Sequence, residues 1–218
     1  MGPWPWRGSN KAVRYIAHGI PLPRVWMSFP HPFRRDTKVI LIDRLTGASL
    51  EDAWDRLSDE KKDIVAEQLE IYISQLRTLP PPSGLRIIYS VMGGRVRCFR
   101  LHADATTGPF RDEEYMNLQL RHLQPLADSR IPEIVRKMHS TQHPLAIFIY
   151  NDFFPRNIMV DEESAKVVAV LDWESAGWFP SHWEYCKCVR GKYKKIGEQS
   201  TYRASYRSTR KRRKWIEP

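Results

Sequence analysis

Asp152, Asn157 and Asp172 are short oxygen-bearing side chains whose surroundings predict that they meet. Leu145 to Tyr150 reads as a strand, Asn151 to Arg156 as an irregular stretch, and Asn157 to Val160 and Val167 to Leu171 as two further strands. The turn Asp161-Glu162-Glu163-Ser164 makes the last two antiparallel neighbours, so Asn157 at the start of one comes beside Asp172 at the end of the other. Magnesium prefers close octahedral oxygen ligands and is usually held by one or two carboxylates together with substrate phosphates. Asn157 and Asp172 would supply the protein share of such a site, which leaves Asp152 as a base. In phosphoryl transfer of the kinase type an Asp receives the acceptor hydroxyl and an Asn a little further on takes a metal. An Asp beyond the next strand pair then holds the metal that bridges the phosphates. The order Asp152, Asn157, Asp172 fits that scheme better than the plain alternative, in which surface Asp and Asn merely cap strands.

Other chemistries find less support. Cys98, Cys186 and Cys188 complete no tetrahedral zinc set, and the histidines form no His-Glu-x-x-His pattern. So sparse and odd a cysteine set argues against a disulfide framework and for a reducing compartment. No Gly-x-Gly-x-x-Gly or Walker pattern is present.

The elements that must hold the three residues follow from periodicity and punctuation. Residues 1 to 37 are rich in proline and leave one helical pattern, Asn10 to His18, which Gly19 stops. Val25 to Phe29 and Lys38 to Leu45 read as short strands joined through Arg34-Arg35-Asp36-Thr37. After Gly47 the period becomes helical. Ser49 opens a short amphipathic segment, and Ser58 caps a longer helix whose stripe is Val65, Leu69, Ile73 and Leu76, ended by Pro80-Pro81-Pro82. Residues 83 to 111, broken by Gly84, Gly93, Gly94 and Gly108, read as loop with one hairpin. Asp112 caps a helix with Tyr115, Leu118, Leu123 and Leu126 as its apolar positions, and Pro132 opens another through His139. Trp183 and Tyr185 suit packing rather than ligand binding.

The 218 residues carry a net charge of +10, all of it beyond Tyr185. The body is balanced, and residues 196–218 read as a flexible basic tail. Such a tail attracts RNA or acidic surfaces by electrostatics, or is a solvated extension without a partner. No apolar run approaches the roughly 20 residues of a membrane span, and the N-terminus lacks the apolar core of a secretory signal. A cytoplasmic protein is expected, with a nuclear location as the alternative that the run Arg210 to Lys214 suggests.

The stretch Tyr150-Asn151-Asp152-Phe153-Phe154-Pro155-Arg156-Asn157-Ile158-Met159-Val160, followed by Leu171-Asp172-Trp173-Glu174-Ser175-Ala176-Gly177-Trp178, resembles the aminoglycoside phosphotransferase family, its fungal members most closely. Pro21 to Val25, Ile40 to Gly47, Leu50 to Trp54, Gly108-Pro109-Phe110 and Pro180 to Tyr185 extend the resemblance from about residue 10 to about residue 195. It implies an α+β, protein-kinase-like fold with ATP and Mg2+ between two lobes and transfer of the γ-phosphate to the hydroxyl of a small-molecule acceptor. It also implies a division into a residual N-terminal β lobe and hinge over 1–47, a mainly helical C-terminal lobe with a catalytic β-hairpin over 48–195, and the tail. Residue by residue, Asp152 matches the catalytic Asp, Asn157 and Asp172 match the magnesium ligands, and the backbone from Asp43 to Leu45 matches the hinge that receives adenine.

Two departures from the family pattern carry expectations of their own. Where the family reads His-Gly-Asp, this chain has Tyr150-Asn151-Asp152. Asn tolerates positive φ best after Gly, so Asn151 is expected to keep the turn. Tyr150 must repack in the His place, with an expected displacement of Asp152 by ~1 Å. The family's phosphate-covering loop, strand Lys and helix Glu lie upstream of the match, so the N-terminal lobe is expected to be truncated. Three readings follow: a phosphotransferase acting through Asp152, an inactive pseudokinase-like module that binds a ligand or partner, and an association with RNA or acidic surfaces through the tail.

Overall fold

Alternating and β-branched stretches become antiparallel ladders in the computed structural model, which describes residues 19–34, 37–81, 88–98, 101, 106–140 and 146–184. The Asn10 to His18 pattern, Tyr185, Cys186, Cys188 and the basic tail lie outside the described residues. Strands β1 (Val25–Pro30) and β2 (Lys38–Ile42) form a hairpin, with Ser28 opposite Ile40. The chain leaves it through Gly47, at φ +93, where an added Cβ would stand 2.2 Å from the Val160 carbonyl oxygen. Only glycine combines that φ with so close an approach. Directly after it, β3 (Ala48–Ser49) pairs with β8 (Ile158–Asp161), which pairs with β9 (Lys166–Val170).

The helical signals act at the expected residues. Ser49 caps α1 (Leu50–Ala53) by accepting from the Asp52 N–H, and Ser58 caps α2 (Asp59–Arg77) by accepting from the Lys61 N–H. Val65, Leu69, Ile73 and Leu76 of α2 are buried, whereas Ile64 and Ile71 face solvent. This stripe lies over β9 and over β7 (Ala146–Ile149). The tip of the β8–β9 hairpin is fastened to the same helices. Arg56 gives two hydrogen bonds, of 2.8 and 2.6 Å, to the Glu162 carboxylate, and Lys61 Nζ donates to the Glu162 carbonyl at 2.7 Å. Gln68 donates to the Ala165 carbonyl and accepts from the Val167 N–H.

A second sheet runs β4 (Tyr89–Ser90), β10 (Gly177–Pro180), β7, all antiparallel. The stretch read as loop is therefore more ordered than its glycines suggest. Within it β5 (Val96–Arg97) also pairs with β6 (Thr106–Thr107), and Ile88 bridges to Phe110. Ile88, Val96, Cys98 and Phe110 join Met116, Ile149, Phe179 and Trp183 in a second apolar cluster. Strands of two residues have no period to detect; distant partners create them.

Helix α3 (Glu113–Leu120) starts at Asp112 as expected, but its buried face is different. Tyr115 and Leu123 are exposed, while Met116 and Asn117 are buried. The reason is that the helix stops at Leu120: His122 and Leu123 turn to positive φ, and the buried Arg121 takes the inner place. Its guanidinium bonds to Glu114 Oε1 at 2.6 Å, to the Gln124 carbonyl at 3.0 Å and to His139 Nδ1 at 2.8 Å. Arginine has no acceptor, so His139 accepts there and carries its proton on Nε2. Helix α4 (Glu133–Ser140) follows Pro132 as predicted. No described helix is long and apolar enough to cross a membrane.

Removing a buried leucine costs about 2–5 kcal/mol, and an exposed apolar residue far less. Leu69→Ala is expected to lower stability by about 3 kcal/mol, and Ile71→Ala by less than about 0.5 kcal/mol. Urea denaturation followed by circular dichroism checks this, and equal losses would show that α2 is not seated by its stripe.

Candidate active site

Strand β7 carries the chain into the interior, where Tyr150 ends it and Asn151 turns it at φ +66. The loop that follows is buried almost throughout: Tyr150, Asn151, Asp152, Phe153, Phe154 and Asn157 are all under a tenth exposed. A loop taken out of water must place its polar groups on protein partners. The Asn151 N–H donates to Glu184 Oε1 at 3.0 Å, and the Asn151 side-chain amide donates to the Ser175 carbonyl at 2.9 Å. Phe154 N–H closes a tight turn onto the Asp152 carbonyl, and Asn157 N–H bonds back to Phe154. Asn151 thus holds a left-handed turn, as its residue type predicts.

Asn157 and Asp152 are locked together. The Asn157 Nδ2 group donates to Asp152 Oδ2 at 2.8 Å and to the Asp152 backbone oxygen at 3.0 Å. Its hydrogens thereby point at Asp152, and Oδ1 is its remaining acceptor. Arg156, its guanidinium over the Phe154 ring, stands 3.5 Å from the same Asp152 oxygen. The other edge of the hairpin arrives by the ladder: Ile158 pairs with Val170, and the Leu171 N–H donates to the Asn157 carbonyl at 2.8 Å. Asp172 comes next, exposed and at φ +57, ψ +59, before the short 3-10 turn Trp173–Ser175. The structure therefore brings Asn157 and Asp172 to one edge, beside Asp152. An amide oxygen and one exposed carboxylate form an all-oxygen set that suits magnesium with phosphate and water completing the shell. Among the described residues no group of three or more His, Cys, Asp or Glu is arranged to hold a metal ion.

Tyr150 ties the two sides. Its hydroxyl donates to the Leu171 carbonyl, and its ring packs on Trp173 at 4.6 Å and edge-on to Phe153 at 6.0 Å. Burial, then the charges of Asp152 and Asp172, push that hydroxyl well above the ordinary tyrosine range. Glu174 is raised above the usual carboxylate value by desolvation first and by Asp172 second. Arg97, at 3.1 Å, pulls it the other way. Arg97, Glu174 and Glu184 were not candidates on sequence grounds. Glu174 and Glu184 lie inside matching segments, but nothing in local spacing marks them. Arg97 belongs to the stretch where periodicity fails.

At the hinge, Asp43 is occupied by the fold. Its carboxylate accepts from the Arg24 N–H and from the Trp26 indole N–H, both at 2.8 Å, and its own N–H donates to the Arg24 carbonyl at 3.0 Å. Arg24 lies over the Trp26 ring. Among the described residues no hydrogen bond engages the Asp43 carbonyl or the Leu45 N–H.

The family profile of the phosphotransferase enzyme family (APH) matches residues 15–214. No curated protein matches the chain. Among solved structures, a thermostable mutant of aminoglycoside phosphotransferase APH(4)-Ia, in ternary complex with AMP-PNP and hygromycin B, aligns with a TM-score of 0.52 at 16% identity. The alignment covers 80% of this chain and 56% of that one. The GDP complex of aminoglycoside 2'-phosphotransferase-IIIa aligns with a TM-score of 0.48 at 14% identity, over 84% of this chain and 62% of that one. For the gentamicin complex of APH(2")-IIa the TM-score is 0.47 at 12% identity, with coverages of 84% and 57%. The chain thus spans about 56% of the length of the first of these structures. At such identity the likeness shows the fold, α+β and kinase-like.

The causes acting on Glu174 fix the sign of two substitutions. In metal-free protein Asp172→Asn is expected to lower the Glu174 titration midpoint, by removing the strongest charge that opposes ionisation. Arg97→Gln is expected to raise it, by removing the cation that favours ionisation. Carboxyl carbon NMR titration checks both, and a shift in the opposite sense for either would show that the groups do not share one corner.

Proposed function

The chain belongs to the phosphotransferase enzyme family, and from that premise we propose that it binds ATP with magnesium and transfers the γ-phosphate to a hydroxyl of a small molecule. The observation that carries this reading is the double hydrogen bond from Asn157 to Asp152, at 2.8 and 3.0 Å, set beside the strand end that presents Asp172. The aligned structure that contains AMP-PNP and hygromycin B supports a nucleoside triphosphate as donor.

Each residue has a task within this geometry. Asp152 is held at Oδ2 by Asn157, which leaves Oδ1 to take the proton of the acceptor hydroxyl as its oxygen bonds to the γ-phosphorus and the bond from that phosphorus to the β–γ bridging oxygen breaks, releasing ADP. Asn157 Oδ1 and the Asp172 carboxylate would hold Mg2+, which when bound neutralises phosphate charge and orients the triphosphate. Glu184 and Ser175 keep the loop from unwinding by taking the main-chain and side-chain N–H groups of Asn151. The Asp43 carbonyl and Leu45 N–H would receive adenine. A second reading, binding without turnover, rests on Tyr150 standing where the family has His.

Thermal-shift titration with millimolar MgATP is expected to stabilise the protein, and Asp172→Asn to abolish the magnesium-dependent part. Asp152→Asn should leave nucleotide binding in place and lower phosphoryl transfer by about a hundredfold or more. No shift with MgATP would overturn the functional reading. Binding with no phosphate transfer to any of a panel of hydroxyl acceptors would favour the second.

A further inference from the structure

Tyr150 is the residue at which this chain departs most from its family's pattern, and it is also the side chain that spans the two halves of the site. We propose that its hydroxyl is a positioning group for Asp172, taking the place of the family's His; this rests on the functional reading above. The reason is the peptide plane. The Leu171 carbonyl and the Asp172 N–H belong to one rigid planar unit, so a bond that fixes the carbonyl direction also fixes the axis about which Asp172 φ turns.

The unit before it is fixed as well. The Leu171 N–H is held by the Asn157 carbonyl at 2.8 Å, and the Leu171 carbonyl by the Tyr150 O–H. Beyond this double anchor Asp172 stands at φ +57, ψ +59, a left-handed conformation that L residues other than glycine adopt rarely. Released from Tyr150, the peptide loses the bond that sets the direction of its carbonyl, and the left-handed conformation of Asp172 loses one of the contacts that maintain it. The anchor itself cannot move aside: Tyr150 is 1% exposed and wedged against Trp173 and Phe153. Its hydroxyl thus links the loop of Asp152 to the strand end of Asp172, 21 residues further on. A shorter side chain without a donor at its tip would leave that carbonyl unheld.

Tyr150→Phe keeps the ring and removes the hydroxyl, which also interacts with the Asn157 side chain, so exchange at 171–176 is the readout specific to the Leu171 bond. In metal-free protein, hydrogen exchange of the segment 171–176 is expected to accelerate about tenfold, with the melting temperature lowered by no more than about 10 °C and the cooperative transition kept. Electron paramagnetic resonance of Mn2+ with ADP is expected to show metal affinity about tenfold weaker, while ADP affinity without metal stays as in the wild type. Unchanged exchange in 171–176 would overturn the inference whatever the metal results. Equal Mn2+ affinity in wild type and Tyr150→Phe would overturn it and leave the functional reading standing. Wild-type protein that gives no Mn2+–ADP signal would overturn the functional reading and the positioning role together.

Discussion

Burying an irregular loop is the constraint from which the rest of the site follows. Each polar group left without a partner there costs about 1–3 kcal/mol, and residues 150–157 bring many such groups inside. The loop settles this with partners from three directions: Glu184 beyond β10, Ser175 in the turn after Asp172, and Leu171 at the end of β9. These bonds add to those made within the loop, from Asn157 to Asp152 and from the Phe154 and Asn157 N–H groups, so its shape is set from outside as well as from within. The two sheets exist, in this sense, to deliver those partners. β10 lies between β4 and β7 and carries the chain on to Glu184, while β8 and β9 set the register that lets Leu171 reach Asn157.

Electrostatics give the same corner its character. Burial first, then the charge of Asp172 and more weakly that of Asp152, disfavours ionisation of Glu174, and Arg97 offsets this only in part. Like charges gathered in a partly desolvated place raise the free energy of the folded state. The compensation is apolar: α2 seats Leu69 and Val65 on the sheets, and the second cluster encloses Phe110, Phe179 and Trp183. Each fully buried large side chain contributes about 1.5–3 kcal/mol.

What could be read from the sequence was whatever is local. Ser49, Ser58 and Asp112 cap helices because a hydroxyl or carboxylate before a helical run has only one useful thing to bond. The β8–β9 hairpin was legible because a short turn dictates antiparallel pairing, and with it the register that brings the Leu171 N–H to the Asn157 carbonyl. Periodicity failed where long-range contacts decide. Ile88, Val96 and Phe110 sit in pieces too short to show a period, yet they pack a core. Tyr115 and Leu123 were misplaced because a sequence shows apolar residues but not where the helix stops, and the buried Arg121 takes the face they were given. Glu184 was hidden for a related reason: its partner, Asn151, is 33 residues away. The Asp43 carboxylate likewise shows its fastening role only once β1 and β2 are paired.

The tip of the β8–β9 hairpin looks like the kind of exposed turn where chains usually accept insertions. Here it does not have that freedom. Glu162 is gripped by Arg56 and Lys61, Ala165 is fully buried, and Gln68 holds the backbone on both sides of Lys166. β9 is a short rigid rod with α2 at one end and Asp172 at the other. An epitope tag, fluorophore or grafted loop placed at this tip would tilt that rod and be felt at the Asp172 carboxylate. The outer face of α2, near Ile64 and Ile71, is the mechanically quiet place to attach a probe.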